Sequence, residues 1–220
     1  MLIDGENLHA AAGADRLRIL RKFGVAYQSG ALFGNMTVLE NVRLAMEEYT
    51  DYSDEQMDMI ALTKLRQVSL EHAAQKLPSE LSGGMQKRAA IARAMALDPR
   101  IVFLDEPSAG LDPRSRHQIV ELLIRLRRAG KTIVTSTHDL EIAEAIGSRA
   151  VVLSEDHVVA ADRPIAAVLD DLELLVERDR DVLGQRARRP EQHGRTHRGS
   201  EQYRRVSHAP FLRSAPYGGP

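Results

Sequence analysis

Cysteine is absent from the 220 residues, which excludes disulfide bonds and thiolate metal sites and suits a cytoplasmic chain. Neither sign of charge is in excess. The 30 Lys and Arg against 31 Asp and Glu leave a net charge of −1, so nothing global draws the chain to nucleic acid or to an anionic membrane. No apolar run approaches the ~20 residues of a membrane span, and the start, MLIDGENLHAAAG, lacks the basic-then-apolar layout of a signal peptide. Membrane association is therefore expected through a partner. A phosphate-binding GxxxxGK[ST] loop is missing as well. The Gly130-Lys131 pair, in RLRRAGKTIVTSTHDL (125–140), has Arg125 where the first glycine belongs. The order of elements is also reversed: Ile119, Leu122, Leu123 and Leu126 recur at helical spacing before the pair, and a strand-like TIVTST follows it. Gly130 reads as a helix stop.

With 43% hydrophobic residues the chain can bury one sizeable core and carry an extra tail. Short runs rich in Val, Ile and Leu alternate with amphipathic stretches, the pattern of an α/β protein with a mainly parallel sheet. FGVAYQ (23–28), IVFLDE (101–106), TIVTST (132–137) and AVVLSE (150–155) are the expected strands, and most lack clean alternation, which fits burial on both faces. Helices are expected over about 54–67, 85–97, 114–128 and 139–146. In the third, Asp112 is placed to cap, Pro113 suits the first turn and Gly130 lies just past the end. From about residue 183 the texture changes: eight Arg (186, 188, 189, 195, 198, 204, 205 and 213) stand against two Glu (191 and 201), with no sustained period. Too few large apolar side chains remain there to offset ordering entropy, so 176–220 is expected to be a disordered, solvated tail.

LSGGMQKRAAIARAMALDPRIVFLDEPSAGLDP (81–113) carries the strongest signal. Ser82, Gly83 and Gly84 stand immediately before a helix, where glycines allow close backbone approach and the helix start offers unpaired N–H groups. The same triplet is also an ordinary cap and turn. IVFLDE delivers two acids at the end of a buried run: Asp105 is suited to Mg²⁺ and Glu106 to polarising a water, although isolated acid pairs also cap turns. His138, in TSTHD at the end of another run, could donate to a terminal phosphate or be structural.

In this order and spacing, LSGGMQKR, IVFLDEP, SAGLDP and TSTHD resemble the signature, Walker B, D-loop and H-loop of the nucleotide-binding subunits of ATP-binding cassette (ABC) transporters. AYQSGALFGNMTVLENV (26–42) is similar to the family's Q-loop, with Gln28 at a strand end. The resemblance covers about 1–175 and implies a P-loop NTPase-like α/β nucleotide-binding domain with a helical signature subdomain. It further implies ATP and Mg²⁺ as cofactors. Asp105 would serve the metal, Glu106 would be the catalytic base, and His138 the γ-phosphate contact. Gln28 would contact the metal and the attacking water and link the site to transmembrane subunits. Ser82, Gly83 and Gly84 would grip ATP held by the opposite subunit of a head-to-tail dimer, and Asp112 would carry communication between the two sites.

The partners so implied are permease subunits, a second nucleotide-binding subunit in a homo- or heterodimer, and an Mce-type lipid-binding protein; no nucleic acid is expected. The location implied is the cytoplasmic face of the cell membrane. QSGALFGNMTVLENV and PSELSGGMQKRAAIARAMALDP look most like ATPases of Mla-type phospholipid transport, whereas the segment from TSTHDL onward is also similar to energy-coupling factor and metal-type ATPases. An SMC-type or DNA-repair ATPase half would need a long heptad coiled coil, and none is visible. Family members begin with strands and a Walker A loop; LIDGENL resembles the segment that follows these, so the chain is expected to be N-terminally truncated. Losing three or more charge-assisted phosphate bonds at roughly 1.5–3 kcal/mol each removes most of the ~8 kcal/mol of micromolar binding, so the chain alone is expected to be inactive. Without the Walker A strand, two unpaired sheet edges and exposed apolar faces are also expected.

Overall fold

A computed structural model of the protein describes residues 2–3, 5–153 and 158–171; the tail expected at 176–220 lies outside them. The chain divides into two compact units, Met1–Thr137 and His138–Pro220.

The first unit opens with a small antiparallel pair, β1 (Leu2–Ile3) and β2 (Glu6–Asn7), followed by α1 (Gly13–Leu20). Glu6 joins them by ion pairs to Arg18 and Lys22, and Arg18 first, then Lys22, holds its carboxyl far below the usual range, at about 2. Three parallel strands then form a sheet in the order β3 (Phe23–Ala26), β4 (Ile101–Asp105), β5 (Thr132–Ser136). Register aligns Gly24 with Val102 and Ile133, and Val25 with Phe103 and Val134.

Between β3 and β4 the chain builds helices α2 (Val38–Tyr49), α3 (Asp54–Gln67) and α4 (Gly83–Ala94). Reciprocal capping boxes start the first two, Thr37 with Glu40 and Ser53 with Gln56. Val42, Met46, Ala61, Leu65, Ala89 and Ile91 form the core of this helical part. α5 (Pro113–Arg128) follows β4 and buries Ile119, Leu122, Leu123 and Leu126. It ends as expected, with Gly130 at φ 86°, Gly130 N–H donating to Arg127 O and Lys131 N–H to Leu126 O. In the second unit α6 (Leu140–Ile146) precedes the antiparallel pair β6 (Arg149–Leu153) and β7 (Val159–Pro164).

Several expectations need correction. Helix α4 begins two residues earlier than expected, so Gly83 and Gly84 form its first turn instead of preceding it. The strand expected over 23–28 stops at Ala26, and Gln28 lies in the turn closed by Gly30 N–H to Tyr27 O. Burial of the strands on both faces does not hold in this unit: Val102 and Leu104 are buried, but Val25 and Val134 are 36% and 43% exposed on the opposite face. β5 is an edge strand among the described residues, as the exposed-edge expectation requires.

The tightest contact lies where α4 crosses β3. A Cβ at Gly24 would stand 1.9 Å from the Ala94 carbonyl oxygen. Gly24→Ala is therefore expected to lower stability by about 3 kcal/mol or more, read as a fall in the urea midpoint. Glu6 gives a pH prediction. A carboxyl depressed from 4.5 to about 2 stabilises the fold above its unfolded value, and that contribution disappears as pH falls from 4.5 toward 2. The urea midpoint of Glu6→Gln should fall less steeply than that of the parent chain across this window.

Candidate functional site

Two helix starts adjoin in the first unit, and they differ in how their N–H groups are used. Asp112 caps α5, accepting from Arg114 and Ser115 N–H at 3.0 Å each. Hydrogen bonds from Ser115 and then Arg114 hold its carboxyl below the usual range, so this helix start is neutralised from within. At α4, Ser82 accepts from Met85 N–H at 3.4 Å, and the first turn has no acidic residue. The Gly83 and Gly84 N–H groups take no acceptor among the described residues. Gln86 braces the approach to the helix, donating to the carbonyls of Pro78 and Leu81.

The two glycines differ too. Gly83 is exposed, and a Cβ there would meet only Leu111 Cδ2, at 3.9 Å. Gly84 is buried, and its Cβ would stand 2.8 Å from Ser115 Cβ and 2.7 Å from Ser115 Oγ. Gly83 thus leaves the helix start open to a ligand, and Gly84 lets the two helix starts touch.

At the carboxyl edge of the sheet, Asp105 lies opposite Ser136, whose hydroxyl donates to Asp105 Oδ1 at 2.6 Å. Glu106 follows at φ 45°, a left-handed conformation costly for a residue with a side chain. Its N–H donates to Ser136 O at 3.1 Å, and its carbonyl accepts from Ala109 N–H at 3.2 Å and from Lys87 Nζ at 2.7 Å. Burial pushes the Lys87 pKa down, and the nearby Glu106 and Asp105 charges oppose that shift.

Gln28 is exposed at the same edge, just past β3. The loop after it is fastened on two sides. Arg93 of α4 donates to Ala31 O at 2.7 Å and Gly30 O at 2.9 Å and lies 6.0 Å from the Phe33 ring centre. Asn41, fully buried in α2, accepts from Phe33 N–H and donates to the carbonyls of Phe33, Met36 and Thr37.

Gln28, Asp105 and Glu106 therefore share one sheet edge, and Ser82, Gly83, Gly84 and Asp112 share one pair of helix starts, all in the first unit. His138 is exposed at the start of the second unit, next to Asp139, which caps α6. The Gly130-Lys131 pair makes no phosphate cradle: Lys131 Nζ donates to Asp98 Oδ1 at 3.1 Å and leads into a strand. Among the described residues no cluster of three or more His, Asp or Glu forms a closed metal cage. One carboxylate and one amide at a strand edge are a hard-oxygen donor set that fits a cation retaining most of its waters, such as Mg²⁺. Lys87 lies inside LSGGMQKR and Asn41 inside AYQSGALFGNMTVLENV, yet neither motif assigns them a role, and Arg93 lies outside both.

Residues 1–109 match the family model described as ABC transporter. The intermembrane phospholipid transport system ATP-binding protein MlaF of Haemophilus influenzae is 37% identical over 161 residues, 73% of this chain and 61% of that protein. MlaF of Escherichia coli K12 is 38% identical over the same length, covering 60% of that protein. The probable ribonucleotide transport ATP-binding protein mkl of Mycobacterium tuberculosis H37Rv is 35% identical over 160 residues, 72% of this chain and 45% of that protein. The chain thus spans only 60–61% of the length of the MlaF relatives. Among solved structures, the ATP-binding cassette MJ0796, dimeric in a post-hydrolysis state bound to ADP and Pi, superposes with a TM-score of 0.66 at 34% identity, covering 74% of this chain and 72% of that one. Part of the ABC transporter complex cbiONQ, cbiO1 from Clostridium perfringens shares the fold at 24% identity and a TM-score of 0.68, covering 80% of this chain and 70% of that one.

Contact between the two helix starts yields a paired prediction. Gly84→Ala should destabilise the chain by about 1–3 kcal/mol, and Ser115→Gly should recover most of that loss in the double variant, measured by urea denaturation.

Proposed function

Because the chain belongs to the ABC transporter family, we propose that it is part of an ATP-hydrolysing subunit that energises a membrane permease, with lipid as the cargo. The observation that carries this reading is the unneutralised glycine start of α4 beside a saturated one, in the chain that also presents Asp105 and Glu106 at its sheet edge. A helix start with unpaired N–H groups and no acid receives an anion, and Gly83 is open enough for a phosphate to approach the backbone. Ser82, Gly83 and Gly84 grip the terminal phosphate of ATP held by a second subunit, and Asp112 lies at the junction between the two helix starts.

At the sheet edge, Glu106 takes the proton of an attacking water and Gln28 orients that water; the family's H-loop role, donation to the γ-phosphate, falls by sequence to His138. When bound, Mg²⁺ neutralises phosphate charge, and Asp105 and Gln28 are the donors that would hold it. The lipid cargo is supported by the phospholipid-transport names of the MlaF relatives, and a permease and an Mce-type protein are the partners in keeping with it. The site belongs on the cytoplasmic face of the membrane.

A second reading is favoured by the placement of Lys131: the Gly-Lys pair is committed to a helix end, so within these residues the signature serves ATP held elsewhere, on an intact subunit. Two measurements test these readings. The isolated polypeptide should bind ATP no more tightly than about millimolar, by calorimetry. Added to an intact MlaF-type subunit, it should raise ATP turnover, and Ser82→Arg should remove the increase; an increase that survives Ser82→Arg overturns the signature role.

A further inference from the structure

Glu106 is held in a left-handed turn that its side chain disfavours, and such a conformation persists only where neighbours over-determine it. Two of its backbone bonds are local: N–H to Ser136 O across the strand pair and C=O from Ala109 N–H within the turn. The third comes from outside, from Lys87 Nζ at 2.7 Å. Lys87 lies in the second turn of α4, five residues past the cap Ser82, and the contact of Ala94 with Gly24 fixes that helix against β3. The ammonium is half-buried beside Asp105 and Glu106, with Tyr27 of the β3 end lining the same crevice.

We propose that Lys87 is a positioning residue that locks the Glu106 backbone and ties it to the helix bearing Ser82, Gly83 and Gly84. A charge-assisted bond to a carbonyl resists stretching more than a neutral one does, so α4 and the 106–109 turn move together. The consequence for catalysis, which rests on the roles given under Proposed function, is that phosphate arriving at the start of α4 is felt by the general base of the chain's other site.

The test uses the chain alone and needs no nucleotide, so its failure is distinct from failure of the functional reading. By hydrogen exchange, Lys87→Met should speed the Glu106 and Ala109 amides about tenfold, Lys87→Arg should leave them within about twofold of the parent, and amides of β4 and α5 should be unmoved. Unchanged turn amides in Lys87→Met, or equal acceleration throughout β4 and α5, overturns the proposal. The parent chain supplies a second measurement that needs no variant: by NMR, a scalar coupling across the hydrogen bond should link Lys87 ¹⁵Nζ to the Glu106 carbonyl ¹³C. Absence of that coupling overturns the tether.

Discussion

The rest of the structure depends on how closely α4 lies against the backbone of β3. Only hydrogen fits on Gly24 beneath the Ala94 carbonyl, so a residue with no side chain sets the distance between helix and sheet. Three features of the candidate site are referred to that helix. Its start carries Ser82, Gly83 and Gly84; its second turn sends Lys87 to Glu106; its last turn sends Arg93 to the loop after Gln28. A lateral shift of α4 would disturb all three at once, and dense packing resists such shifts.

The electrostatic arrangement has the same economy. Asp112 spends its charge on its own helix start, leaving the neighbouring start of α4 as the place where positive potential remains. Across the unit, Asp105 and Glu106 concentrate negative charge at the end of β4, moderated by the Ser136 hydroxyl and the Lys87 ammonium. A helix start without an acid and a pair of carboxylates are thus separated within one chain, as the proposed use of two different nucleotides requires.

The central strands and α5 were legible because their signals are local. IVFLDE and TIVTST are dense in β-branched and apolar residues, and Asp112, Pro113 and Gly130 punctuate α5 at both ends. Helix α2 was equally marked, by the Thr37–Glu40 capping pair and by Val38, Val42 and Met46 at helical spacing, but its first residues are absorbed in the Q-loop resemblance. The pairs β1 and β2, two residues each, are too short to show any period. At the candidate site, the side chains to which the motifs assign a role were found and those that brace them were not, although Lys87 and Asn41 stand within motif stretches. Lys87, Arg93 and Asn41 act on backbone carbonyls 19, 62 and 8 residues away, and no local pattern encodes an acceptor at such distances. The partial exposure of Val25 and Val134 was hidden for a related reason: a strand's own residues do not say how many layers cover it.

The conformation of residue 106 sets two demands in opposition. Its backbone favours glycine, the one residue that turns left without steric cost, whereas the proposed chemistry requires a carboxylate at that point. On the proposed role, a substitution that relaxed the turn would make a sturdier protein and an idle one. The strain at Glu106 then trades thermal robustness for reactivity, and variants selected only for heat tolerance lose the acid first.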